Sequence, residues 1–313
     1  MQVSTCPICE QIGNYDFSGT DLMFGGDKVF NYHRCSNCGL IYQYPIPSNG
    51  EISRFYPDSY SIYQQPDKKG YSKRVLLSLK NTMGYNRLEV PASQNFFARI
   101  RKAKPITNII PFVPDGAVLD IGCGNGEHML RLRSIGWRCQ GVEFNEKAVA
   151  ICREHGLDVH HGDIESAGFS PESFDFVTAN HLIEHAPDPH ALMGEIARVT
   201  KPGGTVLIRT PNSQSIGRSW FGSYWFANEV PRHLILYAPQ NLQLLAARHG
   251  LQLEMMATPV KPKLLLRSFD YRFGNSGKPL ENRMFIKWLA NVYIPIARLL
   301  GRGDELLAMF KKC

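Results

Sequence analysis

A glycine-rich turn after an apolar segment is the first candidate for chemistry in this 313-residue chain. Asp120 precedes the turn, which reads Gly122-Cys123-Gly124-Asn125-Gly126, and Glu143 follows 23 residues after Asp120. Glycines let a backbone approach a ligand where side chains would collide. An acidic side chain at the end of the next strand can accept hydrogen bonds from both hydroxyls of a ribose. The spacing therefore predicts a nucleoside-containing ligand.

The residue after the turn separates two classes of nucleoside ligand. A dinucleotide-binding turn carries glycine or alanine at the position of Glu127, and here the third glycine, Gly126, comes one residue early. An acidic side chain at that position would face the pyrophosphate of a dinucleotide and repel it. The turn therefore favours a ligand without a pyrophosphate over a nicotinamide cofactor.

The turn resembles motif I of the class I S-adenosylmethionine-dependent methyltransferases, and the resemblance continues in order over residues 115–260. His161-Gly162-Asp163-Ile164 resembles the turn after the third strand of that family, Phe174-Asp175-Phe176-Val177 its fourth strand, and Lys201-Pro202-Gly203-Gly204 the turn into its fifth. The resemblance implies a cofactor whose methionine end is held by Asp120 and the glycines, with Glu143 at the ribose. The full set of implied cofactor-binding residues is Asp120, Gly122, Cys123, Gly124, Gly126, Glu143, Asp163, Ile164, Asn180 and His181, of which Asp163 and Ile164 contact the adenine.

Two cysteine pairs near the N-terminus predict a metal site. Cys6 and Cys9 are separated by two residues, Cys35 and Cys38 likewise, and 25 residues lie between the pairs. Four thiolates at this spacing fit tetrahedral zinc, with no coordination position left open, so the metal is expected to be structural. The pattern resembles a zinc ribbon. The nearby His33 is interpreted as a surface residue, a hydrogen-bonding partner of a ligand, or a replacement ligand.

A ribbon followed by Tyr42, Pro45 and Tyr56 resembles the front end of methyltransferases that act on sugars and other small or glycan-linked metabolites. Methyl transfer from a sulfonium requires in-line geometry first and removal of a proton from the acceptor second. A base is expected after the fourth or fifth strand of the sheet. His233 is the first candidate, His185 is the alternative, and aromatic residues 220–226 are expected to cover the acceptor.

Glu229 is a third candidate catalytic residue. Zinc-containing sugar methyltransferases carry a Glu and a His after the fifth strand, and the stretch from Glu229 to His233 is similar, although here three residues intervene. This departure leaves the role of Glu229 open. His181 is expected to line the pocket.

These residues must be positioned by an alternation of strands and helices, which the sequence shows from Ala117 onwards. Short apolar runs alternate with amphipathic stretches, as is typical of a doubly wound α/β sheet. We predict an α/β fold with a Rossmann-like seven-stranded methyltransferase sheet, a small N-terminal zinc ribbon and a helical C-terminal insertion. Predicted strands cover 117–121, 138–143, 174–179, 205–210, 251–258 and 305–311, and predicted helices cover 72–104, 126–135, 146–155, 189–199 and 239–248.

Three regions are predicted along the chain: a zinc-ribbon-like module over 1–45, a linker and helical region over 46–110, and an S-adenosylmethionine-binding domain over 111–313. The formal charge of +7 is unevenly spread, because residues 71–116 contain 8 Lys and Arg against 2 Asp and Glu, and residues 261–313 contain 11 against 4. Basic flanks attract anionic substrates, nucleic acids or anionic membranes alike. No signal-peptide pattern or spanning apolar segment is found, so a cytoplasmic location is expected.

The interpretation is an enzyme that methylates an oxygen or carbon of a small-molecule or glycan-linked acceptor, in polysaccharide or secondary-metabolite biosynthesis. The alternative is an RNA methyltransferase, since zinc ribbons and basic flanks also serve nucleic acids. It ranks second because the ribbon segment itself is slightly acidic. A further alternative is a non-catalytic protein that lies on a membrane surface through residues 283–298. The acceptor and the oligomeric state are left open.

Overall fold

The computed structural model describes residues 4–56, 65–66, 70–89, 111–274 and 284–313. Its N-terminal part is a four-stranded antiparallel sheet of β1 (Gly13–Gly19), β2 (Phe30–Cys35), β3 (Ile41–Gln43) and β9 (Ile235–Leu236), in that order. The first three strands come from the cysteine-bearing segment, whereas β9 comes from nearly 200 residues later. The short helices α1 (Asn49–Ile52) and α2 (Lys73–Thr82) follow β3 in the chain.

The second sheet has seven strands. They are β4 (Ala117–Ile121), β5 (Arg138–Glu143), β6 (Asp158–His161), β7 (Phe174–Asn180), β8 (Thr200–Pro211), β10 (Leu251–Ala257) and β11 (Glu305–Lys312). Their order across the sheet is β10-β11-β8-β7-β4-β5-β6, with β4 to β8 parallel and β11 antiparallel to both of its neighbours. The predicted α/β, Rossmann-like seven-stranded class is confirmed.

The topology creates a crevice at the carboxyl end of β4. From β4 the chain continues to β5 and β6 on one side of the sheet, and it then returns to β7 on the other side. Ligands of open α/β sheets bind where the strand order reverses in this way. The apolar run of β4 is buried almost throughout, as expected for a parallel strand covered on both faces.

Five α-helices join the strands from β4 to β10, and three of them begin at a side-chain cap. They are α3 (Glu127–Arg133), α4 (Glu146–Glu154), α5 (Pro189–Val199), α6 (Ile216–Phe221) and α7 (Pro239–Arg248). At the start of α5, the Asp188 side chain accepts hydrogen bonds from the amides of His190 and Ala191, and Pro189 occupies the first turn. At the start of α4, the Asn145 side chain accepts from the amide of Ala148. The predicted helices over 189–199 and 239–248 are confirmed at both ends.

Two element predictions differ from the structure by more than two residues at one end. β8 begins at Thr200 instead of 205, because Lys201–Gly204 continue the strand across a register shift against β7 instead of forming a turn before it. In the described part of the helix predicted over 72–104, only α2 is helical, since Gly84 (φ +78°) follows it in the left-handed region that ends helices. Residues 90–104 of that prediction lie outside the described residues.

The described residues of the C-terminal excursion include α8 (Pro262–Phe273) and α9 (Met284–Leu299), after which β11 returns to the sheet. Phe221 and Trp225 are buried against Leu265 and Tyr293 in an apolar cluster with these helices. These two aromatic side chains therefore complete a core, whereas they were expected to cover an acceptor. Among the described residues, no helix is both long and apolar enough to cross a bilayer.

Candidate active site

The glycine turn requires residues without side chains. Gly122, Gly124 and Gly126 have φ values of +67°, +53° and +76°, which are unfavourable for other residues. A Cβ atom on Gly122 would lie 2.9 Å from Cδ1 of Leu182, and one on Gly126 would lie 2.3 Å from Cδ1 of Leu157. The turn is therefore packed closely against the loop after β7 on one side and against the end of α4 on the other.

Two buried carboxylates border this turn at the ends of β4 and β5. The amides of Gly124 and Asn145 donate hydrogen bonds of 2.9 Å to the two carboxylate oxygens of Glu143. The hydroxyl of Thr178 donates a hydrogen bond of 2.6 Å to Oδ1 of Asp120. Burial raises the pKa of both Asp120 and Glu143. Two desolvated acids beside a glycine turn fit a ligand that supplies hydroxyl donors and a positive charge.

The residues predicted to meet an adenine lie in the turn after β6. Ile164 is buried, whereas Asp163 is exposed and accepts a hydrogen bond of 2.7 Å from the amide of Ser166. Hydrogen bonds from Ser166 lower the pKa of Asp163. Cys123 is buried within the glycine turn, and its amide donates to the carbonyl of Val142. Asp163 thus stabilises its own turn, and its contact with an adenine stays a prediction.

His181, directly after Asn180 at the end of β7, is held between two acids. Its Nδ1 lies 3.3 Å from Oε1 of Glu184, and its Nε2 lies 3.4 Å from Oε1 of Glu305. Partial desolvation alone would lower the pKa of His181, whose side chain is 44% exposed, but the two carboxylates outweigh it and raise this pKa to about 9. Burial opposes ionisation of Glu184, yet His181 and the neighbouring imidazoles lower its pKa to about 2. The site therefore contains an imidazolium–carboxylate pair at neutral pH.

This pair predicts a pH-dependent contribution to stability. The folded-state pKa of His181 is raised from 6.5 to about 9, so the contribution is complete below pH 6.5 and is lost as the pH rises towards 9. We expect the difference in melting temperature between the wild type and His181→Asn to be largest between pH 5 and 6.5 and to vanish above about pH 9. Asparagine is chosen because it tolerates the φ of +52° at this position. Thermal melts across that pH range provide the measurement. A difference in melting temperature that does not change with pH would contradict the imidazolium–carboxylate pair.

Two further imidazoles meet beside Glu184. The ring centroids of His185 and His233 are 4.7 Å apart, and His233 is only 5% exposed. Nδ1 of His233 lies 2.9 Å from the carbonyl oxygen of Ala227, and Nδ1 of His185 lies 3.0 Å from that of Arg232. A carbonyl oxygen only accepts hydrogen bonds, so Nδ1 carries the proton in both rings. Nε2 of each ring is thereby left as the atom that can take a proton.

Burial and the neighbouring His233 lower the pKa of His185 to about 4, so that this ring is neutral at pH 7. The hydroxyl of Tyr56 lies 2.8 Å from the same Nδ1. Glu229, the third predicted catalytic residue, contacts Nε of Arg232 at 3.1 Å through Oε1 and Nε2 of His233 at 3.6 Å through Oε2. The three predicted catalytic residues thus lie together.

The four predicted metal-binding cysteines converge. Sγ of Cys6 and Cys38 are 3.6 Å apart, and Sγ of Cys9 and Cys35 are 3.4 Å apart. Tetrahedral zinc with bonds of about 2.3 Å separates its sulfur ligands by about 3.8 Å, close to these values. Amides of the two knuckles also point at the sulfurs of Cys6 and Cys35, which stabilises thiolates. Among the described residues His33 does not belong to this group, which argues against it as a replacement ligand.

Glu184 and Glu305 belong to the site but are not indicated by its sequence motifs. Glu184 is fully buried, and Glu305 starts β11, 121 residues further along the chain. The density of titratable residues in His181-Leu182-Ile183-Glu184-His185 is a local signal that could have pointed to Glu184. Glu305 has no such signal, because only the return of β11 to the sheet beside β8 brings it to His181.

A protein-family model described as a methyltransferase domain matches residues 96–255, just over half of the chain. The chain belongs to this methyltransferase family. The predicted membership in the S-adenosylmethionine-dependent methyltransferases is thereby confirmed at the level of the family. The matched range contains the glycine turn, Glu143, the loop after β7 and His233.

Curated relatives of this methyltransferase are named "Ubiquinone biosynthesis O-methyltransferase". The protein from Thiobacillus denitrificans is 31% identical over 150 residues, which are 44% of this chain and 65% of that protein. The one from Hahella chejuensis is 36% identical over 107 residues, which are 32% of this chain and 45% of that protein. The chain therefore spans less than two thirds of the length of these relatives.

Solved structures similar to this methyltransferase include a SAM-dependent methyltransferase from Archaeoglobus fulgidus. It has a TM-score of 0.45 and 21% identity, and the match covers 63% of this chain and 86% of that one. A geranyl diphosphate C-methyltransferase from Streptomyces coelicolor A3(2) has a TM-score of 0.44 and 18% identity, over 64% of this chain and 73% of that one.

Proposed function

We propose that the chain transfers a methyl group from S-adenosylmethionine to an oxygen atom of a small-molecule acceptor. The observation that carries this proposal is the pair of imidazoles, His185 and His233, whose Nδ1 protons are donated to backbone carbonyls. His185 lies in the same loop as Leu182, which packs on Gly122 of the glycine turn, and the ring of His233 contacts that of His185. Groups that could take a proton from an acceptor thus lie next to a turn suited to the methyl donor.

The cofactor supplies a methyl group on a sulfonium leaving group. Asp120 and the glycine turn would hold its methionine end, Glu143 its ribose, and Asp163 with Ile164 its adenine. Asn180 and His181 would line the same crevice between β4 and β7. The buried carboxylates support this assignment because they can balance the positive charge of a sulfonium.

Nε2 of His233 would accept the proton of the acceptor hydroxyl. The hydrogen bond from Nδ1 to the Ala227 carbonyl holds the ring in the tautomer that this task requires. His185, whose pKa is lowered to about 4, would remain neutral beside it and would not repel the imidazolium that forms. Glu229, with Oε2 3.6 Å from Nε2 of His233, would stabilise that imidazolium.

The names of the curated relatives support an oxygen atom of a small molecule as the methylated group. A glycan-linked acceptor, indicated by the resemblance of the N-terminal module, stays a prediction. The four cysteines would hold a structural zinc ion, since their spacing and their sulfur–sulfur distances suit tetrahedral thiolate coordination.

Calorimetric titration with S-adenosylmethionine tests the proposal. We expect the wild type to bind, and Glu143→Gln to bind about 10- to 100-fold more weakly, because a hydrogen bond to a charged group contributes about 1.5–3 kcal/mol. Glu154→Gln, on the exposed end of α4, is the matched control and should bind as the wild type does. Equal affinities of the wild type and Glu143→Gln would contradict the ribose assignment. A wild type without affinity for the cofactor or for S-adenosylhomocysteine would contradict the proposed function itself.

A further inference from the structure

The segment that carries His233 is built into the N-terminal sheet. Directly after His233, the amide of Gln43 donates a hydrogen bond of 2.7 Å to the carbonyl of Leu234. β9 follows at once and forms the fourth strand of the cysteine-bearing sheet, next to β3. The hydroxyl of Tyr32, which is fully buried in β2, donates a hydrogen bond of 2.8 Å to the carbonyl of His233 itself.

A buried ion pair makes a second connection. Arg232 has no exposed surface, and its guanidinium donates to both carboxylate oxygens of Asp21 at 2.7 and 2.9 Å. Asp21 lies in the loop between β1 and β2, where its Oδ1 also accepts from the amides of Met23 and Phe24. The carbonyl of Arg232 is the acceptor for Nδ1 of His185. The N-terminal module thus contacts the backbone that orients both imidazoles.

We propose that Asp21 and Tyr32 are positioning residues, through which the N-terminal module sets the tautomers and orientations of His185 and His233. This inference rests on the proposed function for its catalytic meaning. The physical reason is that a histidine tautomer is set by the hydrogen bond that its other nitrogen makes. If the segment around Arg232 and His233 shifts, the Nδ1 bonds are lost and Nε2 becomes protonated in part of the molecules. A ring protonated at Nε2 cannot accept a proton there.

Nitrogen-15 NMR of the full-length, metal-containing protein with labelled histidine tests the inference without any acceptor. For the uncharged rings of the wild type we expect the proton on Nδ1 alone in both His185 and His233. Asp21→Asn should give mixed tautomers for both rings, and Asp21→Glu should restore the wild-type pattern. Tyr32→Phe removes only the hydroxyl that reaches the His233 carbonyl and should affect His233 more than His185.

Asp16→Asn is the matched control. Asp16 also joins the module to the larger domain, through Arg218 at 3.0 Å, and it pairs within the module with Arg34 of β2 at 2.8 Å. Neither arginine contacts the two histidines in the described structure. Its spectrum should match the wild type. Unchanged tautomers in Asp21→Asn and Tyr32→Phe would overturn the inference, and so would equal changes in Asp16→Asn. If Asp21→Asn fails to fold, as judged by its thermal melt, Tyr32→Phe decides the matter.

Calorimetry with S-adenosylmethionine on the same samples separates the two proposals. Asp21→Asn should retain wild-type affinity, because Asp21 is remote in sequence from the glycine turn and Glu143 and contacts neither of them. If the wild type does not bind the cofactor, the proposed function fails. In that case the tautomer measurements still decide whether the module positions the imidazoles.

Discussion

Replacing His233 by asparagine is expected to lower kcat by about 10²- to 10⁴-fold, the usual contribution of a positioned general base. The asparagine amide can still donate a hydrogen bond towards the carbonyl of Ala227, which accepts from Nδ1 of the native ring at 2.9 Å. It has no group at the position of Nε2 that can take a proton at neutral pH. The variant should therefore retain the fold and the affinity for S-adenosylmethionine while losing turnover.

The measurement is the initial rate of methyl transfer from labelled cofactor to an acceptor that the wild type methylates. His155→Gln serves as the control, since His155 follows α4 and contacts Gln65 rather than the site. A turnover within threefold of the wild type would show that another group accepts the proton, with His185 as the next candidate.

Removal of the metal from the four cysteines is expected to have the second large effect. Binding of structural zinc to small modules contributes about 10–16 kcal/mol of apparent free energy, which rivals the about 5–15 kcal/mol that stabilises a whole domain. Cys9→Ser should therefore abolish stoichiometric zinc binding and unfold β1 to β3. Because β9 pairs with β3, the order of the segment around His233 should be lost as well.

Zinc content by atomic emission, limited proteolysis and calorimetric cofactor titration together check this expectation. Cys313→Ser is the control, since Cys313 is exposed at the C-terminus and lies outside the cysteine cluster. We expect Cys9→Ser to be cleaved within its first 45 residues while the glycine turn retains cofactor affinity. A variant that contains no zinc but resists proteolysis and melts like the wild type would contradict a structural metal.

The glycine turn and the two acids beside it could be placed from the sequence because the pattern that specifies them is local. A strand, a turn of three glycines and an acid at the end of the next strand are separated by a short stretch of chain, and the backbone alone brings them together. β4 and β5 accordingly begin and end where the apolar patterning predicts. The cysteine cluster was predictable for the same reason, since each knuckle holds two ligands within four residues.

The surroundings of the histidines could not be predicted in this way. His233 and His185 follow from their places after strands, but their tautomers depend on the carbonyls of Ala227 and Arg232. The charge on His181 depends on Glu305, which lies beside it because the C-terminal strand β11 begins there. Aromatic residues after β8 were expected to cover an acceptor. Trp225 is instead buried against α8 and α9, because apolar side chains of those helices pack against it.

Patterns of neighbouring residues thus specify the sheet, the glycine turn and the four-sulfur cluster, because hydrogen-bonding periodicity, backbone φ and ligand spacing all act over short stretches of chain. The packing of the N-terminal module against the segment after β8 is visible only in the tertiary structure. The bond between Asp21 and Arg232 joins residues 211 positions apart, and no periodicity or spacing records such a contact. Burying a polar group without a hydrogen-bond partner costs free energy. Long-range ion pairs and strand pairings offset this cost, and they can join residues at any separation along the chain.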